Sequence, residues 1–147
     1  MNKRTVIPAD AGMTVCVETI VMELFSKAVL IFVSLIHLLP GLGVFGGERL
    51  LTLYGVSPDE PNLQILLRHR AVLFAMLGAG LAWSVFMPAW RPLMIGAAMI
   101  SMITFLLFVL PDSNANAALR RAAWIDIVAI VGLLPVIWGM LGERSTA

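Results

Sequence analysis

Four apolar stretches, residues 24–44, 71–87, 93–110 and 122–141, occupy most of this chain of 147 residues. Each meets or approaches the length of about 20 residues that a helix needs to cross a hydrocarbon core of about 30 Å. Inside a bilayer no water is present to satisfy backbone polar groups, so apolar stretches of this length fold as helices. Hydrophobic residues make up 60% of the chain and charged residues 13%, whereas soluble domains carry about 25% charged residues. With a mean hydropathy of +0.94, little sequence is left for a soluble domain. The expectation is an all-α protein, an integral membrane four-helix bundle, forming one domain over residues 22–147.

Residues 1–21 break the pattern. Lys3, Arg4, Asp10 and Glu18 are spread through a segment without sustained apolar periodicity, which predicts a disordered or frayed tail. The run Val6-Ile7-Pro8-Ala9-Asp10-Ala11-Gly12-Met13-Thr14 resembles the peptide produced when a dispersed bacterial intergenic repeat is translated. On that reading the tail is a mis-assigned extension and the biological start is Met22; an ordinary cytoplasmic tail is the alternative. Cys16 is the single cysteine and has no second thiol for a disulfide or a metal site. The formal net charge of +1, with basic residues scattered between segments, argues against a nucleic-acid partner.

The first apolar stretch follows a short charged lead and lacks an A-x-A-like cleavage site, so it reads as an uncleaved signal-anchor. Ser34, His37 and Gly41 are three and four residues apart and share one helix face. Pro40 removes a backbone donor and predicts a kink or break there. Residues 48–56 read as a short amphipathic piece at the interface. Ser57-Pro58-Asp59-Glu60-Pro61 is turn and helix-start chemistry, with a second helix expected over about 61–87.

Arg68-His69-Arg70 lies where that helix enters its apolar part. Three consecutive residues sweep about 200° of a helix, so all three cannot reach lipid headgroups equally and at least one turns inward; snorkelling to phosphates is the alternative. Ala75, Gly78, Ala79 and Ala82 give small-xxx-small spacings for close helix packing. Trp83 and Trp90 read as interfacial aromatics. The third helix has no ionisable residue and serves packing. Asp112, Ser113 and Asn114 are N-cap candidates for the fourth.

In the fourth helix Asp126 lies more than a turn inside the apolar stretch, a position that costs an isolated carboxylate about 2.5–3.5 kcal/mol. Arg120 and Arg121 are displaced from it by about 120° and 140° around the helix, so its partner is expected from another helix. In an up-and-down bundle the end of helix 1 meets the starts of helices 2 and 4. His37, Arg68, His69, Arg70, Arg120, Arg121, Trp124 and Asp126 therefore gather at one membrane face. The other end carries Lys27, Arg91 and Arg144 with Glu23 and Glu143. The expected site is a polar mouth around Asp126, with an Arg of helix 2 or His37 as counter-group; a structural ion pair that fixes helix register is the alternative.

Phosphate loops ending in Lys-Ser or Lys-Thr, H-E-x-x-H and G-x-S-x-G are missing. Two histidines and one buried aspartate argue against zinc or haem, and no cofactor or metal is expected. Small multidrug transporters match the size, but that class relies on a helix 1 carboxylate, and no acid occurs between Leu24 and Gly47.

The segments Ile36-His37-Leu38-Leu39-Pro40-Gly41-Leu42, Leu53-Tyr54-Gly55-Val56, Leu66-Leu67-Arg68-His69-Arg70-Ala71-Val72-Leu73-Phe74, and Asn116-Ala117-Ala118-Leu119-Arg120-Arg121 to Trp124-Ile125-Asp126 resemble a bacterial family of small four-helix membrane proteins of unknown function. The layout is also similar to DoxX-like proteins. Members of the first family often carry the name phosphopantetheine adenylyltransferase. The T/H-x-G-H nucleotide signature behind that name has no counterpart in His37-Leu38-Leu39-Pro40 or His69-Arg70-Ala71-Val72, and the resemblance implies no catalytic residue.

The resulting expectation is a multi-pass protein of the bacterial inner membrane, non-enzymatic, binding a lipid, a quinone-like molecule or a protein partner at the polar mouth. Its partners would be the lipid bilayer and a second copy or another membrane protein. The alternative is a small intramembrane enzyme or transporter subunit in which Asp126 and a histidine handle protons. Arg49, Arg68, Arg70, Arg120 and Arg121 favour a cytoplasmic mouth.

Overall fold

The computed structural model describes the backbone of residues 9–41 and 61–145. Four long helices run through it in sequence: α1 (Ala9–Gly41), α2 (Pro61–Phe86), α3 (Arg91–Val109) and α4 (Ala117–Ser145), with a 3-10 turn (Pro88–Trp90) between α2 and α3. No strand occurs among the described residues, and each helix contains a segment long and apolar enough to cross a membrane: Cys16–Gly41, Pro61–Phe86, Pro88–Val109 and Ala117–Gly142. This is the architecture of a small multi-pass membrane protein.

Local chemistry sets the ends. Pro61 opens α2, where a missing N–H costs nothing because the first turn has no intrahelical acceptor for it. Pro88 and Pro92 serve the 3-10 turn and the start of α3 in the same way. Asn116 caps α4, its Oδ1 accepting the Leu119 N–H at 2.9 Å. The cap therefore lies two residues beyond Asp112, Ser113 and Asn114; Asp112 instead accepts the Asn114 N–H at 2.9 Å and turns the loop.

The backbone of α1 is helical from Ala9, with the side chains of residues 16–22 exposed. Extending a helix that a membrane span has already nucleated needs no new nucleus. The helix includes Pro40 and ends at Gly41, one residue beyond it. The interfacial piece at 48–56 and the turn at 57–60 lie outside the described residues.

Successive helices run antiparallel around a core of Leu30, Val33, Leu81, Ile95, Met102 and Leu133. The tightest approach joins α1 and α2. A Cβ on Gly41 would lie 2.9 Å from Ala75 Cβ, and one on Gly78 would lie 2.7 Å from Leu38 Cγ and 3.0 Å from the Leu38 backbone nitrogen. The Ser34 hydroxyl donates to the Gly78 carbonyl at 2.8 Å. Small residues thus let the backbones meet, as their spacing predicts. Trp83, Trp90 and Trp138 are exposed toward one end and Trp124 toward the other, the arrangement of two interfacial belts.

Candidate functional site

Where α1 ends and α2 and α4 begin, side chains of all four helices enclose a cavity of about 340 Å³. From α1 comes His37, only 3% exposed. Its Nδ1 lies 2.9 Å from the Val33 carbonyl oxygen. A carbonyl only accepts, so Nδ1 carries the proton; with the ring neutral, Nε2 is then an acceptor. The ring stands edge-on to Phe74, with centroids 5.8 Å apart and planes at 65°. From α2 comes Arg70, whose guanidinium carbon is 5.0 Å from the Phe74 ring centroid and 5.5 Å from that of Phe105 on α3. Two aromatic faces hold the cation in place.

α4 supplies Arg121 and Asp126 to the same cavity. Arg121 donates from Nε to the Ala117 carbonyl of its own helix at 3.2 Å. Arg70 from α2 and Asp126 from α4 line the same cavity. Although about 140° of helix separates Arg121 from Asp126, the cavity is wide enough to receive both. Ile36, Leu39 and Ile125 complete its apolar walls. A second cavity, of about 570 Å³, adjoins it and shares Arg70, Phe74, Ser101 and Phe105.

Four of the eight residues expected at the polar mouth therefore meet: His37, Arg70, Arg121 and Asp126. The other four do not line this cavity. Arg68 and His69 are exposed, so of the three consecutive residues only Arg70 turns inward. Arg120 folds back to donate to the carbonyls of Ala115 at 3.2 Å and Ser113 at 3.3 Å. Trp124 points outward. Phe74 and Phe105 had not been anticipated. Phe74, one turn beyond Arg70, was within reach of a spacing argument; Phe105 comes from a separate helix with no local signal. Among the described residues, no group of three or more His, Cys, Asp or Glu could hold a metal ion.

A direct ion pair lies at the opposite end of the bundle. Arg91 donates from Nη1 and Nη2 to the two carboxylate oxygens of Glu23 at 2.8 and 2.7 Å. Its Nε also reaches the Ser84 carbonyl at 3.2 Å. Lys27 approaches the same carboxylate at 3.3 Å. The pair joins α1 to the start of α3 across 68 positions of sequence. The signal available was one acid and one base at the same end of two helices.

Comparison with protein-family models, with curated proteins and with solved structures finds no match to this chain.

Proposed function

We propose that this chain is a non-enzymatic protein of the bacterial inner membrane that binds an amphiphile, a lipid or quinone-like molecule, at the mouth lined by His37, Arg70, Arg121 and Asp126. The resemblance to small DoxX-like four-helix proteins belongs to the same proposal. The observation that carries it is the cavity of about 340 Å³, with apolar walls and a few charged groups at one end of the bundle. Small-molecule sites take this form, at about 300–1,000 Å³ with a small number of convergent polar groups. An amphiphile matches both surfaces: its chain lies against Ile36, Leu39 and Ile125, and its head meets the arginines. Native mass spectrometry of the protein in mild detergent tests this. Bound amphiphile is expected, and Ser101→Trp, which fills the cavity, removes it without altering helix content. Retention unaffected by Ser101→Trp, or no bound amphiphile, refutes the proposal.

A second reading, proton handling by a transporter subunit, is favoured by one observation: His37 and Asp126 line the same cavity. It requires proton flux in proteoliposomes that Asp126→Asn abolishes. Flux absent, or unchanged in that variant, eliminates it.

A further inference from the structure

The cavity restricts the head group by both charge and hydrogen-bonding capacity. Arg70 and Arg121 bring two positive charges to the lining; with Asp126 ionised and His37 neutral, its net charge is +1. In surroundings that solvate ions poorly, that excess calls for a ligand with one negative charge. The cations and the acceptors also sit at different depths. Asp126 is five residues below Arg121 on α4, about 7.5 Å along the axis at 1.5 Å per residue. Near it His37, 3% exposed, has its Nδ1 proton committed to the Val33 carbonyl, which leaves Nε2 as an acceptor. An ionised Asp126 likewise only accepts. The deeper part of the cavity therefore needs hydrogen-bond donors and the outer part needs an anion.

From this juxtaposition we infer that the cavity takes a singly anionic phospholipid whose phosphodiester carries a small polyol, of the phosphatidylglycerol type. The phosphate lies against the Arg121 and Arg70 guanidiniums, and the glycerol hydroxyls donate to His37 Nε2 and Asp126. The assignment rests on the amphiphile reading of the cavity and narrows it to one head group. A phosphatidylethanolamine head is neutral overall and leaves the excess positive charge uncompensated. Phosphatidic acid has the anion but no polyol to satisfy the deeper acceptors.

The test is titration of the full-length protein in detergent, read by native mass spectrometry. The probes are phosphatidylglycerol, phosphatidylethanolamine and phosphatidic acid of matched chains, and water-soluble glycerophosphoglycerol. Phosphatidylglycerol is expected to bind tightest. Arg121 is exposed and bonds only within its own helix, so Arg121→Ala folds; it should weaken phosphatidylglycerol by about tenfold or more. Asp126→Asn takes the lining from +1 to +2 and should shift preference toward phosphatidic acid. His37→Asn offers an amide to Val33 in place of Nδ1 and deletes the Nε2 acceptor, so it should weaken phosphatidylglycerol and spare phosphatidic acid. Phosphatidylethanolamine or phosphatidic acid binding as tightly as phosphatidylglycerol to the unaltered protein overturns the head-group assignment and leaves the amphiphile reading standing. Glycerophosphoglycerol binding as tightly as the lipid overturns a membrane source. No retention of any lipid overturns both inferences.

Discussion

Replacing Glu23 tests how the end of the bundle opposite the cavity is held. Arg91 is 8% exposed, and beyond its two bonds to Glu23 it reaches the carbonyls of Ser84 at 3.2 Å and Val85 at 3.4 Å. Glu23→Gln removes the counter-charge and leaves a guanidinium where water is scarce. Stranding one member of a buried pair costs about 3–5 kcal/mol, and breaking an exposed pair costs about 0–1 kcal/mol. The Glu23 side chain is 41% exposed while Arg91 is buried, so the pair falls between these limits. We expect about 2 kcal/mol for Glu23→Gln, roughly a 30-fold change in the unfolding equilibrium. Arg91→Met leaves instead a carboxylate that reaches solvent and keeps Lys27 at 3.3 Å, and should cost only about 1 kcal/mol. The double variant strands no charge and should also cost about 1 kcal/mol, well below the sum of the single changes. Denaturant titration in micelles, followed by tryptophan fluorescence, measures all three. Additive losses, or a greater loss for Arg91→Met than for Glu23→Gln, would refute the argument.

Three further expectations concern the rest of the bundle. Arg70→Ala should destabilise by about 1–2 kcal/mol through its two aromatic contacts, while Arg68→Ala, at an exposed position, stays within about 0.5 kcal/mol; thermal melting of the two variants compares them. Gly78→Ala should cost about 1–3 kcal/mol because its methyl collides with the Leu38 side chain and backbone, whereas Gly96→Ala, with nothing within 4 Å of the added Cβ, is neutral or stabilising in the same melts. Asn116→Ala should cost about 1 kcal/mol by removing the α4 cap, and Asn116→Asp should restore it, as read by unfolding midpoint.

The helices were legible because a bilayer forces long apolar runs into one local structure, and because prolines mark their starts. Helix 2 was expected over about 61–87 and is observed as Pro61–Phe86. α1 begins at Ala9, inside the segment 1–21. Charge in residues 1–21 signals departure from the lipid, but nothing in it prevents a helix from continuing beyond the membrane. At the site, depth along each helix could be counted, and that brought His37, Arg70, Arg121 and Asp126 to one end. Rotation about each helix axis could not be counted with the same certainty, and it is rotation that separates Arg70 from its neighbours Arg68 and His69. The Glu23–Arg91 pair was hidden for a related reason. Both residues read as end markers of their own helices, and only the crossing of α1 with the start of α3 turns two markers into one bond.

Arg70 stands in the wall common to the two cavities, clamped by Phe74 and Phe105, which border both. A guest in either chamber presses on the same guanidinium and the same two rings. If occupancy of the first changes affinity in the second by some factor, the second must change affinity in the first by that same factor, because the cycle of binding steps closes. The shared wall of Arg70, Phe74 and Phe105 is the place where any such linkage between the two spaces would have to pass.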